Sequence, residues 1–344
     1  MKYPRVSIII LNWNGWRDTI ECLESVYKIN YPSYDVIVVD NNSKDDSIEK
    51  IKEYAKGNVK IKSKFFNFDT MNKPIKIIEF SKTDKAFEKK QDENVENYIN
   101  KLELVLLRND DNYGFAEGNN IGIKYSLENL HPDYMLFLNN DTVVEEQFLK
   151  EMITWTETDE KIAAAGPTIY YYDEPEKISS AGSNMEYKII NIPKKKRNKK
   201  IKLKHEYSQA EAVSCVDGTA LLVKKEVIEK VGAFDPDYFM YCEEEDWCFR
   251  MKKEGFKVLF VPKAKIWHKI ATSSGGGFNS FLAYYKTRNK ILFVRKNLSK
   301  YHMVTFIPSI TGFILFHSME AIYEKKYEVI NAMIKGVIWN LKNR

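Results

Sequence analysis

Four consecutive carboxylates, Glu243 to Asp246, give the sequence its strongest chemical signal. Acidic residues favour the first turn of a helix through its dipole, by about 0.3–1 kcal/mol each, so a structural explanation stays open. Like charges packed together also raise the pKa of some of them, and a carboxylate with a raised pKa is a better general base. Aromatic residues within 232–247 could form the walls of a sugar site. The cluster therefore indicates either a helix start or a catalytic base.

Polar loops follow four segments that have the composition of buried strands. Ligands bind beyond the carboxyl ends of the strands in an open parallel sheet, so four such loops favour a ligand site. Asn, Asp and Gly are also ordinary turn residues, which leaves a structural role open for any single loop. The first loop lacks G-x-G-x-x-G, which disfavours a dinucleotide fold. The side chains concerned are Asn12 and Asn14, Asp40 and Asn42, Asn112, Gly114 and Asn119, and Asn140 and Asp141.

Two of the polar residues could bind a metal. Asp141 is the only carboxylate in the run 139–142, and an oxygen ligand beside a diphosphate suits Mg²⁺ or Mn²⁺. His268 ends a predicted strand. A lone histidine is more often structural, but it could also be a metal ligand or contact a diphosphate. Asp40 closes the second predicted strand, where an acid can meet a ribose hydroxyl or the edge of a base.

The elements that must position these residues alternate between strand and helix in the first half of the chain. Continuous apolar strands between helices predict an α/β fold, with a mostly parallel sheet covered on both faces. Residues 43–46 have the form of a capping box, and we expect a helix from there to about residue 54. The polar stretch 56–101 is predicted to be an insertion, and the chain after residue 281 to be mostly helical. We predict strands at 6–11, 35–40, 102–107, 134–138, 163–168, 213–223 and 257–261, and helices at 17–29, 121–130, 227–231 and 247–253.

Two other segments could contact a membrane. Residues 303–319 carry no formal charge and reach the lower edge of spanning length, which leaves a span, an interfacial segment and a buried helix open. The basic run 194–204 could contact a lipid diphosphate or an anionic membrane, or be a solvated loop.

Cysteine usage and the N-terminus bear on location. The four cysteines form no C-x-x-C pair, and the N-terminus has no signal-peptide pattern. We therefore expect free thiols and a cytoplasmic protein, peripheral on the inner face of the cell membrane. Lys and Arg exceed Asp and Glu by 53 − 48 = 5, a mild balance that predicts no nucleic-acid partner.

These motifs together resemble family 2 glycosyltransferases of the GT-A fold, in the rhamnosyltransferase-like branch. The resemblance covers roughly residues 4–295. Its motifs are VSIIILNWNG at 6–15, VVDNNS at 38–43, NYGFAEGNN at 112–120, FLNNDT at 137–142 and the stretch 232–250. It implies a Rossmann-like catalytic domain, which we place at 1–280 with the insertion inside it. The helical region predicted above then forms a second part at 281–344, where a membrane contact stays open.

The resemblance also implies roles for single residues. Asp40 corresponds to the acid that contacts the nucleobase, and Asn12 and Asn14 to the loop packed on the nucleotide. Asp141 corresponds to the metal-binding carboxylate of the D-x-D motif, whose first acid is Asn139 here, and His268 to a histidine that completes the metal site in some relatives.

The acidic cluster corresponds to the Glu-Asp motif of the family. Glu243 aligns with its Glu and Glu244 with its catalytic Asp, so a glutamate replaces the usual base. Asp246, one turn after Glu243, could share that role.

The expected function is therefore metal-dependent, inverting transfer of a sugar from a nucleotide-sugar donor to a saccharide or lipid-linked acceptor, as in polysaccharide biosynthesis of the cell envelope. A non-catalytic sugar-nucleotide-binding protein is the main alternative, because of Glu244 and Asn139. A nucleotidyltransferase is disfavoured by the first loop, and a glycoside hydrolase would not need the nucleotide-edge loops.

Overall fold

A mostly parallel β-sheet forms the centre of the molecule. The computed structural model describes residues 3–81, 103–184, 194–195, 209–269 and 278–343. The first five strands are β1 (Val6–Asn12), β2 (Tyr34–Asp40), β3 (Lys76–Ser81), β4 (Glu103–Arg108) and β5 (Tyr134–Asn139). They lie in the order β3-β4-β2-β1-β5, and every neighbouring pair is parallel. Their carboxyl ends therefore meet at one edge, with β1 at the point where the strand order reverses.

Helices cover both faces of this sheet, as the apolar strands predict. Helices α1 (Trp16–Val26) and α2 (Ser47–Ala55) pack on one face, and α3 (Gly114–Asn129) packs on the other. The central strand is buried on both sides, with Ile8, Ile9 and Ile10 fully covered. Helix α3 lies so close to β1 that a Cβ at Gly122 would stand 2.7 Å from Cγ2 of Ile9.

The second half of the chain extends the sheet with strands of both directions. The extended order is β11-β13-β7-β12-β5, with β6 paired to β13 and β8 to β7. Strand β12 runs antiparallel to both β5 and β7, whereas β13 is parallel to β7. The bounds are β6 (Thr142–Val144), β7 (Ile162–Tyr171), β8 (Ile178–Ser180), β9 (Ser183–Asn184), β10 (Lys194–Lys195), β11 (Glu211–Val213), β12 (Ala220–Lys224) and β13 (Lys257–His268), with helices α4 (Phe148–Thr156), α5 (Lys225–Val231) and α6 (Glu243–Lys253).

Two local predictions were wrong. The expected single strand at 213–223 is two strands, because Asp217 turns the chain between them by accepting hydrogen bonds from the backbone N–H (3.2 Å) and hydroxyl (2.8 Å) of Thr219. The expected capping box at 43–46 does not form. Ser43 donates its hydroxyl to Asp40 instead (2.6 Å), and the helix begins later, at Ser47.

The predicted insertion contributes to the sheet over part of its length. Strand β3 lies within it and pairs in parallel with β4 at the edge. Its residues 82–101 lie outside the described part of the chain, as does most of the basic run 194–204. The insertion and its boundaries stay a prediction.

The C-terminal region is helical, as predicted. It consists of α7 (Ser280–Asn297), α8 (Lys300–Tyr323) and α9 (Tyr327–Lys342). Within the described ranges, α8 is the one helix long and apolar enough to cross a membrane, a weak criterion by itself. Only 6% of its apolar window is buried, so the alternative of a buried helix at 303–319 was wrong.

Candidate active site

The four polar loops meet at the carboxyl edge of the parallel strands. Backbone hydrogen bonds link the strand ends in sequence: the N–H of Asn41 donates to the carbonyl of Asn12 (2.8 Å), and the N–H of Asn109 to that of Asp40 (2.9 Å). On the other side of β1, the amide of Asn140 donates to the hydroxyl of Thr19 in α1 (2.9 Å). The predicted convergence of these loops is thus present.

A buried polar network supports the first two loops. Asp40 accepts hydrogen bonds from the amide of Asn12 (2.7 Å) and from both the hydroxyl (2.6 Å) and the N–H (3.0 Å) of Ser43. The amide oxygen of Asn12 accepts from the hydroxyl of Thr19 (2.8 Å). Asn12 is fully buried, and both ends of its amide form hydrogen bonds, so its side chain holds Asp40 in place. The nucleotide-sugar-binding role predicted for Asn12 stays a prediction.

The outer residues of these loops are held in turn. Asn14 has φ 51° and accepts the N–H of Lys44 (2.6 Å), which ties the first loop to the second. Asn42 has φ 59° and donates to the carbonyl of Asp110 (2.8 Å), which ties the loop after β2 to the loop after β4. Left-handed backbone is tolerated by asparagine better than by most residues, which explains these residue types.

The start of α3 forms the wall beyond β4. Asn112 accepts the N–H of Gly114 (2.9 Å), and Gly114 has φ +73°. A Cβ there would stand 2.5 Å from the carbonyl oxygen of Phe239, so only glycine fits. Asn119 is buried and donates to the carbonyl of Phe115 (2.9 Å), a bond within the first turns of α3. The ligand-binding role predicted for Asn119 stays a prediction.

Asp141 and His268 meet at the end of the sheet. The pairing of β6 with β13 sets Thr142 opposite His268, and Oδ1 of Asp141 lies 3.1 Å from Nε2 of His268. Burial alone lowers the pKa of His268, but the charge and hydrogen bond of Asp141 outweigh it, so the net shift is upward. A carboxylate oxygen and an imidazole nitrogen this close could share one divalent ion.

Asp217 is a site residue that the sequence analysis missed. Its negative charge raises the pKa values of both His268 and Glu243, so it lies near both groups. It also lines a small cleft together with Glu244 and Glu245. Asp217 reaches this edge because β12 runs antiparallel to β5 and therefore begins where β5 ends.

The four acids open α6, as the dipole argument predicts, but their environments differ. Burial is the main cause that raises the pKa of Glu243 well above its ordinary value, and the charge of Glu244 adds to it. Oε2 of Glu243 has no hydrogen-bond partner among the described residues. Glu244 and Glu245 are partly exposed and line the cleft. Glu243 is therefore a buried carboxyl with a raised pKa, next to two accessible carboxyls.

Asp246 is engaged by three side chains. It forms an ion pair with Arg250 (2.7 Å) and accepts hydrogen bonds from the amide of Asn297 (2.7 Å) and the hydroxyl of Tyr238 (3.2 Å). It is almost fully buried. These contacts favour a structural role for Asp246 over the shared base role that the sequence suggested.

Replacing the buried carboxyl should change how stability depends on pH. Folding raises the pKa of Glu243 above its ordinary 4.5, so its stabilising contribution is present below about that pH and is lost as the pH rises towards the folded pKa. We expect Glu243→Gln to unfold at a higher temperature than the native chain near neutral pH, and the difference to shrink at low pH. One proton allows at most about 1.4 kcal/mol per pH unit.

Thermal unfolding from about pH 5 to about pH 8 measures this difference. The exposed Glu254→Gln is the control and should differ from the native chain by a constant amount. Parallel curves for native protein and Glu243→Gln would show that Glu243 is ionised in the folded chain.

Comparison with known proteins identifies the family. The family model "Glycosyltransferase like family 2" matches residues 86–289, and "Glycosyl transferase family 2" matches residues 7–77. The low-salt glycan biosynthesis hexosyltransferase Agl10 of Haloferax volcanii is 23% identical over 68% of this chain and 74% of its own length. The dTDP-rhamnosyl transferase RfbF of Shigella flexneri is 30% identical over 58% of this chain, a match that spans only 65% of that protein.

A shorter match and one solved structure complete the comparison. An N-acetylglucosaminyl-diphospho-decaprenol L-rhamnosyltransferase of Mycobacterium tuberculosis is 39% identical over 21% of this chain and 23% of its own. A mannosyltransferase of Pyrobaculum calidifontis, solved with GDP-Man and Mn²⁺, superposes with a TM-score of 0.56 at 12% identity, over 100% of this chain and 89% of its own. The chain thus belongs to glycosyltransferase family 2 and has the GT-A fold.

Proposed function

We propose that the chain transfers a hexose or 6-deoxyhexose from a nucleoside-diphosphate sugar to an acceptor hydroxyl, with inversion at the anomeric carbon. The observation that supports this most is the position of Asp217, whose charge acts on His268, the partner of Asp141, and on Glu243, the first acid of α6. A diphosphate bound at the pair would present its sugar towards the acids. The names of the relatives make dTDP-rhamnose the first donor to test.

We propose that Asp141 and His268 hold Mg²⁺ or Mn²⁺ together with the donor. In the described part of the chain, no group of three or more His, Cys, Asp or Glu could hold a metal alone. Diphosphate oxygens and water would therefore complete the coordination, as is usual for Mg²⁺ at phosphate sites. The Mn²⁺ in the mannosyltransferase structure supports this assignment. When bound, the ion supplies positive charge that stabilises the departing nucleoside diphosphate.

Glu244 is the proposed general base. It is the first acid of α6 that is accessible from the cleft, and Gly218 packs against its side chain, with 3.5 Å from a Cβ built there to Cβ of Glu244. It would take the proton of the acceptor hydroxyl as that oxygen bonds to the anomeric carbon. The bond from that carbon to the diphosphate oxygen breaks on the opposite face. Asp40 and the loops tied to it would hold the nucleoside.

The metal site predicts metal-dependent donor binding. We expect Asp141→Ala to weaken binding of the donor by at least about 10-fold in the presence of Mn²⁺, because it removes the one carboxylate of the pair. Calorimetric titration with UDP-, dTDP- and GDP-sugars, with Mn²⁺ or with EDTA, measures this. Native protein in EDTA should resemble the variant. Equal Mn²⁺-dependent affinity in both proteins would remove Asp141 from the metal site.

The base assignment predicts a defect in turnover without a defect in donor binding. We expect Glu244→Gln to lower kcat by roughly 10²–10⁴-fold, the usual contribution of a general base. Donor affinity should change by less than about threefold, since the substitution keeps the shape of the side chain.

Glu245→Gln, on the same helical turn, is the matched control and should retain most of the activity. Full turnover by Glu244→Gln would refute the base assignment, and a larger loss in Glu245→Gln would transfer it to that residue. A native chain that binds a donor but transfers it to no acceptor would favour the non-catalytic alternative.

We also propose that the enzyme works on the cytoplasmic surface of a membrane, where a lipid-linked saccharide would be its acceptor. Exposed apolar side chains recur along one side of α8 and continue on α9. They include Tyr301, Val304, Ile307, Leu315, Phe316, Met319 and Ile322, followed by Ile334, Ile338 and Leu341. Apolar patches of this extent on a soluble chain mark an interaction surface.

A bilayer surface fits this patch better than a full span. The opposite side of α8 packs on its neighbours, with Ile310 and Ala321 buried, so the helix cannot be surrounded by lipid. Lysines border the patch at 300, 325, 326, 335 and 342, where they could meet anionic head groups. The diphospho-decaprenol acceptor in the name of the mycobacterial relative supports a lipid-linked substrate.

The surface predicts vesicle binding that depends on two exposed side chains. We expect Leu315→Gln with Met319→Gln to reduce the fraction bound to phosphatidylglycerol vesicles by at least about 10-fold, since burial of each side chain is worth roughly 1.5–3 kcal/mol. Co-sedimentation measures the bound fraction. The control is Met71→Gln, because Met71 is 90% exposed and is distant in sequence from α8 and α9. Unchanged binding would refute the bilayer contact. Loss of a dimer on the same substitutions would assign the patch to a second copy.

A further inference from the structure

The loop that leads into the acidic cluster has a strained backbone. In this acid-leading loop, residues 238–242, three residues other than glycine have positive φ: Phe239 at 60°, Tyr241 at 71° and Cys242 at 71°. Phe239 also has ψ −59°, and the N–H of Met240 donates to the carbonyl of Tyr238 (2.6 Å), which makes a tight three-residue turn. Such conformations persist only where the surroundings impose them.

One buried side chain binds most of this loop. The amide nitrogen of Asn289, in α7, donates to the carbonyl oxygens of Tyr238 (2.8 Å), Met240 (2.8 Å) and Tyr241 (2.7 Å). The remaining carbonyl in the run, that of Phe239, accepts the N–H groups of Phe115 (2.6 Å) and Ala116 (3.2 Å) in α3. The four successive carbonyls of residues 238–241 therefore all accept hydrogen bonds from groups outside the loop, and these bonds fix the direction of each carbonyl.

The loop connects the two sides of the active site. The loop ends at Cys242, which is the N-cap of α6. The conformation of the loop therefore sets the start of this helix, where Glu243 and Glu244 lie. Its Phe239 carbonyl meets the start of α3, where Gly114 leaves room for it. A change in the loop would thus move the acids relative to the nucleotide loops.

We propose that Asn289 is a positioning residue of the transfer reaction: its amide holds the acid-leading loop in the left-handed conformation that points Glu244 into the cleft. This inference rests on the proposed function. The chemistry requires an amide, because a neutral group with two N–H donors satisfies several carbonyls where an isosteric carboxylate would repel them. The amide oxygen of Asn289 has no hydrogen-bond partner among the described residues, so the donors carry the interaction.

Other side chains of α7 support the same segment. Asn297 donates to Asp246 (2.7 Å), and Lys296 pairs with Asp235 (2.5 Å) and Asp237 (2.6 Å). The ring of Tyr285 stacks on that of Phe239, with centroids 5.1 Å apart. We infer that the catalytic unit extends past residue 280 and includes α7.

The test compares two buried asparagines of the helical region. Asn289→Asp keeps the shape but removes the donors. Asn340→Asp is the matched control, because Asn340 is also buried and donates to carbonyls of Arg288 (2.8 Å) and Gly336 (3.1 Å), away from the loop. We expect kcat to fall about 100-fold in Asn289→Asp, as for a displacement of about 1 Å. Donor KM should change by less than about threefold, and Asn340→Asp should keep kcat within about threefold.

Hydrogen exchange of peptides that cover 238–246 provides a readout independent of activity. We expect exchange there to rise at least about 10-fold in Asn289→Asp and to stay native in Asn340→Asp. Unchanged kcat, or equal losses in both variants, would overturn the proposal, as would failure of both Asn289→Asp and Asn289→Ser to fold. A native chain that transfers no sugar would refute the proposed function instead, while the exchange data would still test whether Asn289 holds the loop.

Discussion

The antiparallel pairing of β6 with β13 is the constraint on which the site depends. It joins β6 to the last residues of β13, which lie far apart in the sequence. The pair Thr142 and His268 ends this ladder and places Asp141 next to the imidazole of His268. The N–H of Lys269 donates to the carbonyl of Asp141 (3.0 Å), which continues the ladder by one residue. Because β13 is also held along its length by β7, the pair sits on regular backbone. The proposed metal ligands are thus held by regular strand pairing, so the two side chains would need little reorganisation on binding an ion.

A second level of order lies under the nucleotide loops. Asp40 receives three hydrogen bonds from Asn12 and Ser43, and every donor in that group is itself anchored in the first two loops or α1. A buried polar network of this kind is stable only when every polar group in it has a hydrogen-bond partner. This requirement fixes the positions of the loops that supply the partners. Asn14 and Asn42 then link the outer parts of the loops to one another. The shape of the edge therefore depends on polar side chains that point away from any ligand.

The difference between side chains that support the loops and side chains that face the cleft explains what could be predicted from the sequence. Apolar runs such as 6–11 and 35–40 predicted the parallel strands, because burial on both faces demands continuous hydrophobicity. The polar loops after them followed from topology. The sequence could not distinguish a polar residue that faces the cleft from one that supports it, as Asn12 and Asn119 show, because both are polar and adjacent to strand ends. Asp217 was missed because its position depends on the antiparallel direction of β12, which no local pattern reveals.

The acidic cluster shows the same limit at the level of chemistry. Four adjacent carboxylates look equivalent in the sequence, yet their surroundings differ. Arg250 and Asn297 contact Asp246, burial raises the pKa of Glu243, and Glu244 and Glu245 line the cleft. Different contacts therefore distinguish adjacent acids, and only the two accessible ones could meet an acceptor. Here the separation depends on α7, which supplies Asn297 to one acid and Asn289 to the loop before all of them. The helix that links the catalytic domain to the exposed apolar helices thus also determines which carboxylate is available for chemistry.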